Sequence, residues 1–283
     1  MRLMDGLRLA VGTLTVFPVR VERVDRDVAG RAMTLAPAVG LVLGAVAGVA
    51  LLLPGPPLLG AALALGALAV LTRGLHLDGL ADLADGLGSG KPAGQALDIM
   101  KKSDIGPFGV MALVLTLLVQ AAALTEAGFG GLVTACVAGR LALTWACRAG
   151  VPAARPDGLG AMVAGTVRRA AAWAATLAAL CATTALGLLT PLPTSAIAQD
   201  GTPGGTEYDA ILTYIEQTGL HGGIEQALHS AIVLPLGLVA GLGAALLLLR
   251  HARRRLGGIT GDVLGALVET ATATTLVVCA ILS

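Results

Sequence analysis

The sequence predicts an all-α, polytopic integral membrane bundle of about seven transmembrane helices with an N-terminal interfacial helix, and three observations predict it. Of 283 residues, 55% are hydrophobic and only 13% charged, about half the charged share of a soluble domain, and the mean hydropathy is +0.83. Apolar runs lie at about 34–53, 57–74, 106–124, 131–149, 170–190, 231–249 and 263–282, each near the roughly 20 residues that cross about 30 Å of hydrocarbon. Lys and Arg then fall on one side only. With the N-terminus inside, segments 1–33, 75–105, 150–169 and 250–262 carry all of them except Arg73, Arg140 and Arg148, while 54–56, 125–130 and 191–230 carry none. That asymmetry places residues 75–105 in the cytoplasm and Ser283 outside.

Residues 1–17 put Leu3, Leu7, Val11 and Leu14 on one helical face, with Arg2 and Arg8 elsewhere. This is too short and too charged to span, so an interfacial helix ending at Pro18 is expected. The start Met1-Arg2-Leu3-Met4-Asp5 lacks the apolar core of a cleaved signal peptide. Pro54 to Pro57 turns the chain between the first two spans, and Gly106-Pro107 opens the third, where a proline loses no helical hydrogen bond. Pro191 to Gly205 reads as a linker, and Thr206 to Ser230 as short polar helices broken at Gly222-Gly223. His221, Glu225 and His229 there form a row open to either a surface helix or a metal. The chain is thus read as one membrane-embedded domain, 1–283, with a polar extracytoplasmic insert at 191–230. A net charge of +1 argues against nucleic acid as a partner. Cys136, Cys147, Cys181 and Cys279 form no CxxC pair and read as small buried hydrophobes.

The charged residues that remain are concentrated. Asp78, Asp82 and Asp85 recur at i, i+4 and i+7 within Thr72-Arg73-Gly74-Leu75-His76-Leu77-Asp78-Gly79-Leu80-Ala81-Asp82-Leu83-Ala84-Asp85-Gly86, on one helix face within about 60°. Adjacent carboxylates raise one another's pKa unless a cation lies between them, and an all-oxygen cluster suits Mg²⁺. A solvated face and a metal-dependent phosphate site both fit, with His76 and Arg73 beside the cluster favouring the second. Lys101 and Lys102 close the following stretch, and Asp104 precedes Gly106-Pro107 as a cap or as part of a phosphate site at a helix start. Arg140 falls in the middle of the fourth span, where a charge faces protein or water rather than lipid. Arg250, Arg253, Arg254 and Arg255 read as anchors ahead of Gly257-Gly258-Ile259-Thr260-Gly261-Asp262, and Glu269 follows Asp262 on the same helix.

These stretches, from Thr72 to Gly86, Ile105-Gly106-Pro107-Phe108-Gly109, and Gly258-Ile259-Thr260-Gly261-Asp262, resemble the cobalamin synthase family, the adenosylcobinamide-GDP ribazoletransferases, in order and interval over nearly the whole chain. The resemblance implies a Mg²⁺-dependent enzyme of the bacterial cytoplasmic (inner) membrane, active on the cytoplasmic side. Its reaction belongs to the last stage of cobalamin (vitamin B12) biosynthesis. It joins α-ribazole, or its 5′-phosphate, to adenosylcobinamide-GDP, releases GMP, and yields adenosylcobalamin or its 5′-phosphate. On that reading Asp78, Asp82 and Asp85 hold Mg²⁺, Asp82 or His76 takes the hydroxyl proton, and Arg73, Lys101, Lys102 and Arg140 meet phosphate oxygens. Asp104, Thr260, Asp262 and Glu269 are further candidates. The family often has an acid where Lys102 stands, and here the acid comes two places later, at Asp104. Membrane lipid is the surrounding partner, and a homo-oligomer stays open. Two rivals are a CDP-alcohol phosphotransferase, whose Ala-Arg following the first aspartates is missing here, and an ion-coupled transporter, for which related halves are not found.

Overall fold

A Cβ at Gly6 would lie 2.7 Å from Cβ of Arg31, so glycine lets α1 (Arg2–Leu14) press directly onto α2 (Arg26–Gly48). The face so buried carries Leu9, Ala10 and Leu14, while Leu3 and Leu7 point outward. The stripe expected at Leu3, Leu7, Val11 and Leu14 is therefore split between protein and surroundings, and the helix stops four residues short of Pro18. The computed structural model describes residues 2–22, 24–190 and 220–283, and every helix and bridge named below lies within them.

Asp25 caps α2 by accepting the Val28 N–H at 2.9 Å, which starts the first crossing helix at Arg26, ahead of the apolar run expected from 34. After a short turn come α3 (Pro57–Leu71) and α4 (Leu75–Gly88), bent by 89° from one another. The bend is made by Arg73 at φ 56° and Gly74 at φ 66°, a left-handed pair that favours glycine and strains arginine. Then follow α5 (Ala93–Ile99), α6 (Pro107–Ala146), α7 (Gly158–Val163), α8 (Arg169–Leu189), α9 (Leu220–Leu256) and α10 (Gly261–Leu282).

Helix α6 accounts for two of the expected spans. At Gly128 (φ 58°, ψ −160°) it breaks into limbs 107–127 and 129–146, and packing shows that the second limb returns. Gly109 lies on Asp85 at one end of the molecule, Phe129 lies on Gly48 at the other, and the Thr144 hydroxyl donates to Met33 O (2.7 Å) back at the first. The loop expected at 125–130 is thus a single-residue reversal, possible because glycine alone adopts that backbone. Among the described residues five helices are long and apolar enough to cross a membrane, or six if the bent pair α3–α4 is counted as one span. Helix α3 is shorter than its run at 57–74 suggested. Helix α9 runs unbroken through Gly222-Gly223, where a break was expected. The expected helix start at Thr206 and the side chain of His221 lie outside the described residues.

Close packing rests on small residues. Gly44 and Gly48 of α2 face Val133 and Phe129, where a Cβ would come within 2.8 and 2.6 Å, and Gly40 faces Cys136. This is the glycine-every-fourth pattern that brings membrane helices together. Outward, Leu118 of α6, Leu177 of α8 and Leu247 of α9 are 62, 62 and 69% exposed. Apolar surface on this scale fits a lipid surround and not water. Cys136, Cys147 and Cys279 are buried as expected, while Cys181 is exposed on α8.

Candidate active site

Glycine also brings the motifs together. A Cβ on Gly79 would lie 2.8 Å from Asp262 O and 3.1 Å from Gly265 Cα, so α4 can touch the first turn of α10 only with glycine there. The first and third motifs, nearly two hundred residues apart in sequence, thereby meet. The Gly258–Asp262 segment is clamped from the other side. Ala154 N–H donates to Ile259 O (2.9 Å), Ile259 N–H donates to Pro152 O (3.0 Å), and Gly160 packs on Ile259 and Thr260. Thr260 caps α10 by accepting the Val263 N–H (3.2 Å) and donates to Asp262 Oδ2 (3.2 Å).

Between these elements lies a cavity of about 280 Å³ whose lining includes Asp78, Arg155, Asp157, Thr260 and Asp262. Asp82 is on the next turn of α4, and its carboxyl is pushed up to about 6. Burial is the first cause, followed by the negative charges of Asp78, Asp262 and Asp85, with Arg155 pulling the other way. Arg155 approaches Asp262 Oδ2 to 3.9 Å and donates to Leu97 O (2.5 Å), and its Nε is buried without a partner. Sequence reasoning counted this arginine only as an inner-loop charge; the signal it missed is the Arg155-Pro156-Asp157-Gly158 turn.

The third aspartate of the triad is engaged differently. Asp85 is buried, and its two carboxylate oxygens accept the N–H groups of Gly106 (2.7 Å) and Gly109 (2.9 Å). These are orphan donors of the first turn of α6, and Asp104, expected as a cap or as part of a phosphate site, stands exposed while Asp85 takes the capping contacts. A Cβ on either glycine would come within 2.5 Å of an Asp85 oxygen, which explains both glycines of the second motif.

The other candidates are dispersed. His76 and Arg140 are buried and line a different, smaller cavity of about 30 Å³ together with Thr72, Gln120, Glu269 and Thr272. Gln120 Nε2 donates to Glu269 Oε2 (2.8 Å), while His76 Nε2 and Arg140 Nε have no partner. On a helix at 100° per residue, His76 faces well away from Asp78 and Asp82. Arg73 is exposed and donates to Gly12 O of α1 (3.3 Å), and Lys101 and Lys102 are exposed beyond α5. Among the described residues no three His, Cys, Asp or Glu side chains converge as a ready metal shell. The donor chemistry nevertheless fits Mg²⁺, which takes one or two carboxylates and completes its shell with water and phosphate.

An α-helical membrane bundle whose acidic cavity has a single arginine, Arg155, in its lining has the build of a membrane-embedded transferase of phosphate-bearing substrates. The chain belongs to the cobalamin-5-phosphate synthase family, which it matches over residues 6–280. It is 42% identical to the adenosylcobinamide-GDP ribazoletransferase of Frankia casuarinae, over 96% of this chain and 93% of the relative. For the enzymes of that name from a Nocardioides species and Bradyrhizobium diazoefficiens, identity is 39% and 35%. Coverage of this chain is 96% and 97%, and of the relatives 96% and 92%. No solved structure matches. The family match favours the transferase reading over both rivals.

Proposed function

We propose that this chain joins α-ribazole, or its 5′-phosphate, to adenosylcobinamide-GDP and releases GMP. The observation that carries the reading is the contact at Gly79, which gathers Asp78 and Asp262 in one cavity beside Arg155, with Asp82 one turn further along α4 and within reach of their charges. Phosphoryl transfer depends mainly on positioning and charge stabilisation, and each side chain has a part in it. Asp78, Asp82 and Asp262 would hold Mg²⁺, which when bound neutralises the diphosphate oxygens and the leaving GMP. Arg155 is assigned to a phosphate oxygen of the substrate. With His76 turned into the inner cavity, a carboxylate of the cluster is the acceptor of the ribose hydroxyl proton. Asp85 holds α6 against α4 and so sets the angle of the aspartate face. Purified protein given adenosylcobinamide-GDP, α-ribazole and Mg²⁺ in detergent should release GMP in proportion to the cobalamin formed. GMP without a joined product, or no GMP at all, would refute the assignment.

The site is assigned to the cytoplasmic face of the bacterial inner membrane. Arg148, Arg155, Arg169 and Arg253 lie at the same end of the bundle as the aspartates, and the segments assigned outside have no Lys or Arg, which supports that orientation through the positive-inside rule. In a background without native cysteines, single cysteines replacing Ser89 and Thr202 should be labelled from opposite sides of intact cells. Labelling from one side reverses the assignment.

A further inference from the structure

A second cavity, of about 310 Å³, opens at the same end of the bundle and is lined by Pro152, Arg250, Arg253, Arg254 and Gly257. It is separated from the acidic cavity by the crossing of Pro152–Ala154 with Gly257–Ile259, where Gly258 packs on Pro152 O and Ala153. Two more arginines close on its edge. Arg253 donates to Gly150 O (3.4 Å), the Arg169 guanidinium reaches to 3.6 Å of where a Gly150 Cβ would be, and Arg148 lies 5.5 Å over the Trp145 ring. Among the described residues none of these five arginines is ion-paired with a carboxylate. Arg148 is held below its ordinary range, first by burial and then by Arg253 and Arg169. Arg253 Nε is buried without a partner.

So much uncompensated positive charge exceeds what anchoring needs. Guanidinium groups present forked donors that match phosphate oxygens two at a time, and a cavity of this size falls at the small end of ligand sites. Both tryptophans of the chain adjoin the flanking Arg148, Trp145 beneath its guanidinium and Trp173 against Trp145. Trp145 donates to Thr176 Oγ1 (2.9 Å) and meets Trp173 edge-on at 4.9 Å, and Trp173 is 59% exposed. Trp and Arg together are the residues of the headgroup level.

We propose that Arg250, Arg253 and Arg254, flanked by Arg148 and Arg169, form a phosphate-binding pocket distinct from the acidic cavity, taking the phosphate of an ester. Such a phosphate has two sources at this membrane face, an anionic lipid headgroup or a nucleoside monophosphate in solution. The second source rests on the reaction proposed above; the first does not.

Emission from Trp145 and Trp173 reports on the pocket through Arg148, which lies over Trp145. The full chain in neutral detergent is titrated with phosphatidylglycerol, with phosphatidylcholine, with GMP and with inorganic phosphate. A saturable change is expected with phosphatidylglycerol or GMP and not with phosphatidylcholine. The pair Arg250→Gln and Arg254→Gln, both exposed, should weaken it at least about tenfold. Arg255→Gln should not, because Arg255 turns away to Lys91 O (3.5 Å). A response to phosphatidylglycerol alone identifies a lipid site, and a response to GMP alone a nucleotide site. The pocket is refuted by no saturable response to any probe, by an equal response to phosphatidylcholine, or by equal weakening in Arg255→Gln, which would indicate a diffuse field. Failure of the GMP-release assay with lipid binding intact would overturn the reaction and leave the pocket standing.

Discussion

Asp82→Asn should lower turnover by at least about a hundredfold, roughly 2.7 kcal/mol of barrier, while the protein folds in detergent as before. Asparagine keeps the shape and removes the charge. In the native chain that charge lies within electrostatic reach of Asp78 and Asp262 of the cavity, and its pKa is pushed up to about 6 because burial, then Asp78, Asp262 and Asp85, oppose ionisation. A cation that binds the ionised form must displace a proton below that value. The affinity for Mg²⁺ should therefore be flat above about pH 6 and fall as the pH drops through it, and Asp82→Asn should lose that step. Raised Mg²⁺ should restore turnover only in part. Asp78→Asn and Asp262→Asn should behave like Asp82→Asn, with strongly non-additive losses in combination, since residues sharing one ion fail together. Normal turnover of the Asp82 variant with an unchanged Mg²⁺ requirement would return the aspartates to the status of a solvated face.

Asp85→Asn should act on stability first. The carboxylate accepts two backbone N–H groups at 2.7 and 2.9 Å at the start of α6. An asparagine offers one oxygen and turns its NH₂ toward the second N–H. The loss of a charge-assisted bond and the unpaired donor together cost about 2–3 kcal/mol, so unfolding of the purified protein should come earlier in heat or denaturant. Turnover of the fraction that stays folded should fall less than in Asp82→Asn, with the Mg²⁺ dependence retained. If Asp85→Asn instead melts like the wild type and loses Mg²⁺ dependence, its carboxylate serves the metal and not the helix.

These two aspartates show where reading the chain succeeds and where it stops. Helical spacing placed Asp78, Asp82 and Asp85 on one face, and they are on one face. Spacing carries no information about what stands opposite. Asp85 meets α6, Asp82 looks toward α10, and the difference arises from two glycines at 106 and 109 and one at 79. His76, adjacent to the cluster in sequence, is turned by the helix into a separate cavity with Arg140 and Glu269. Arg155, unremarkable in its own segment, reaches the aspartates because Ala154 and Ile259 pair their backbones.

The class of the protein is legible in the chain alone. The low charge, the apolar runs and the one-sided arginines depend on composition along the chain, and a bilayer responds to composition along the chain. The motifs likewise pointed to the family. Which carboxylates share a cavity, the reversal of α6 at Gly128 and the basic cavity adjoining the acidic one emerge from the packing of the helices. These outcomes depend on how closely helices approach. That approach is set by whether a Cβ fits against a partner far away in the chain, a quantity that local pattern does not contain.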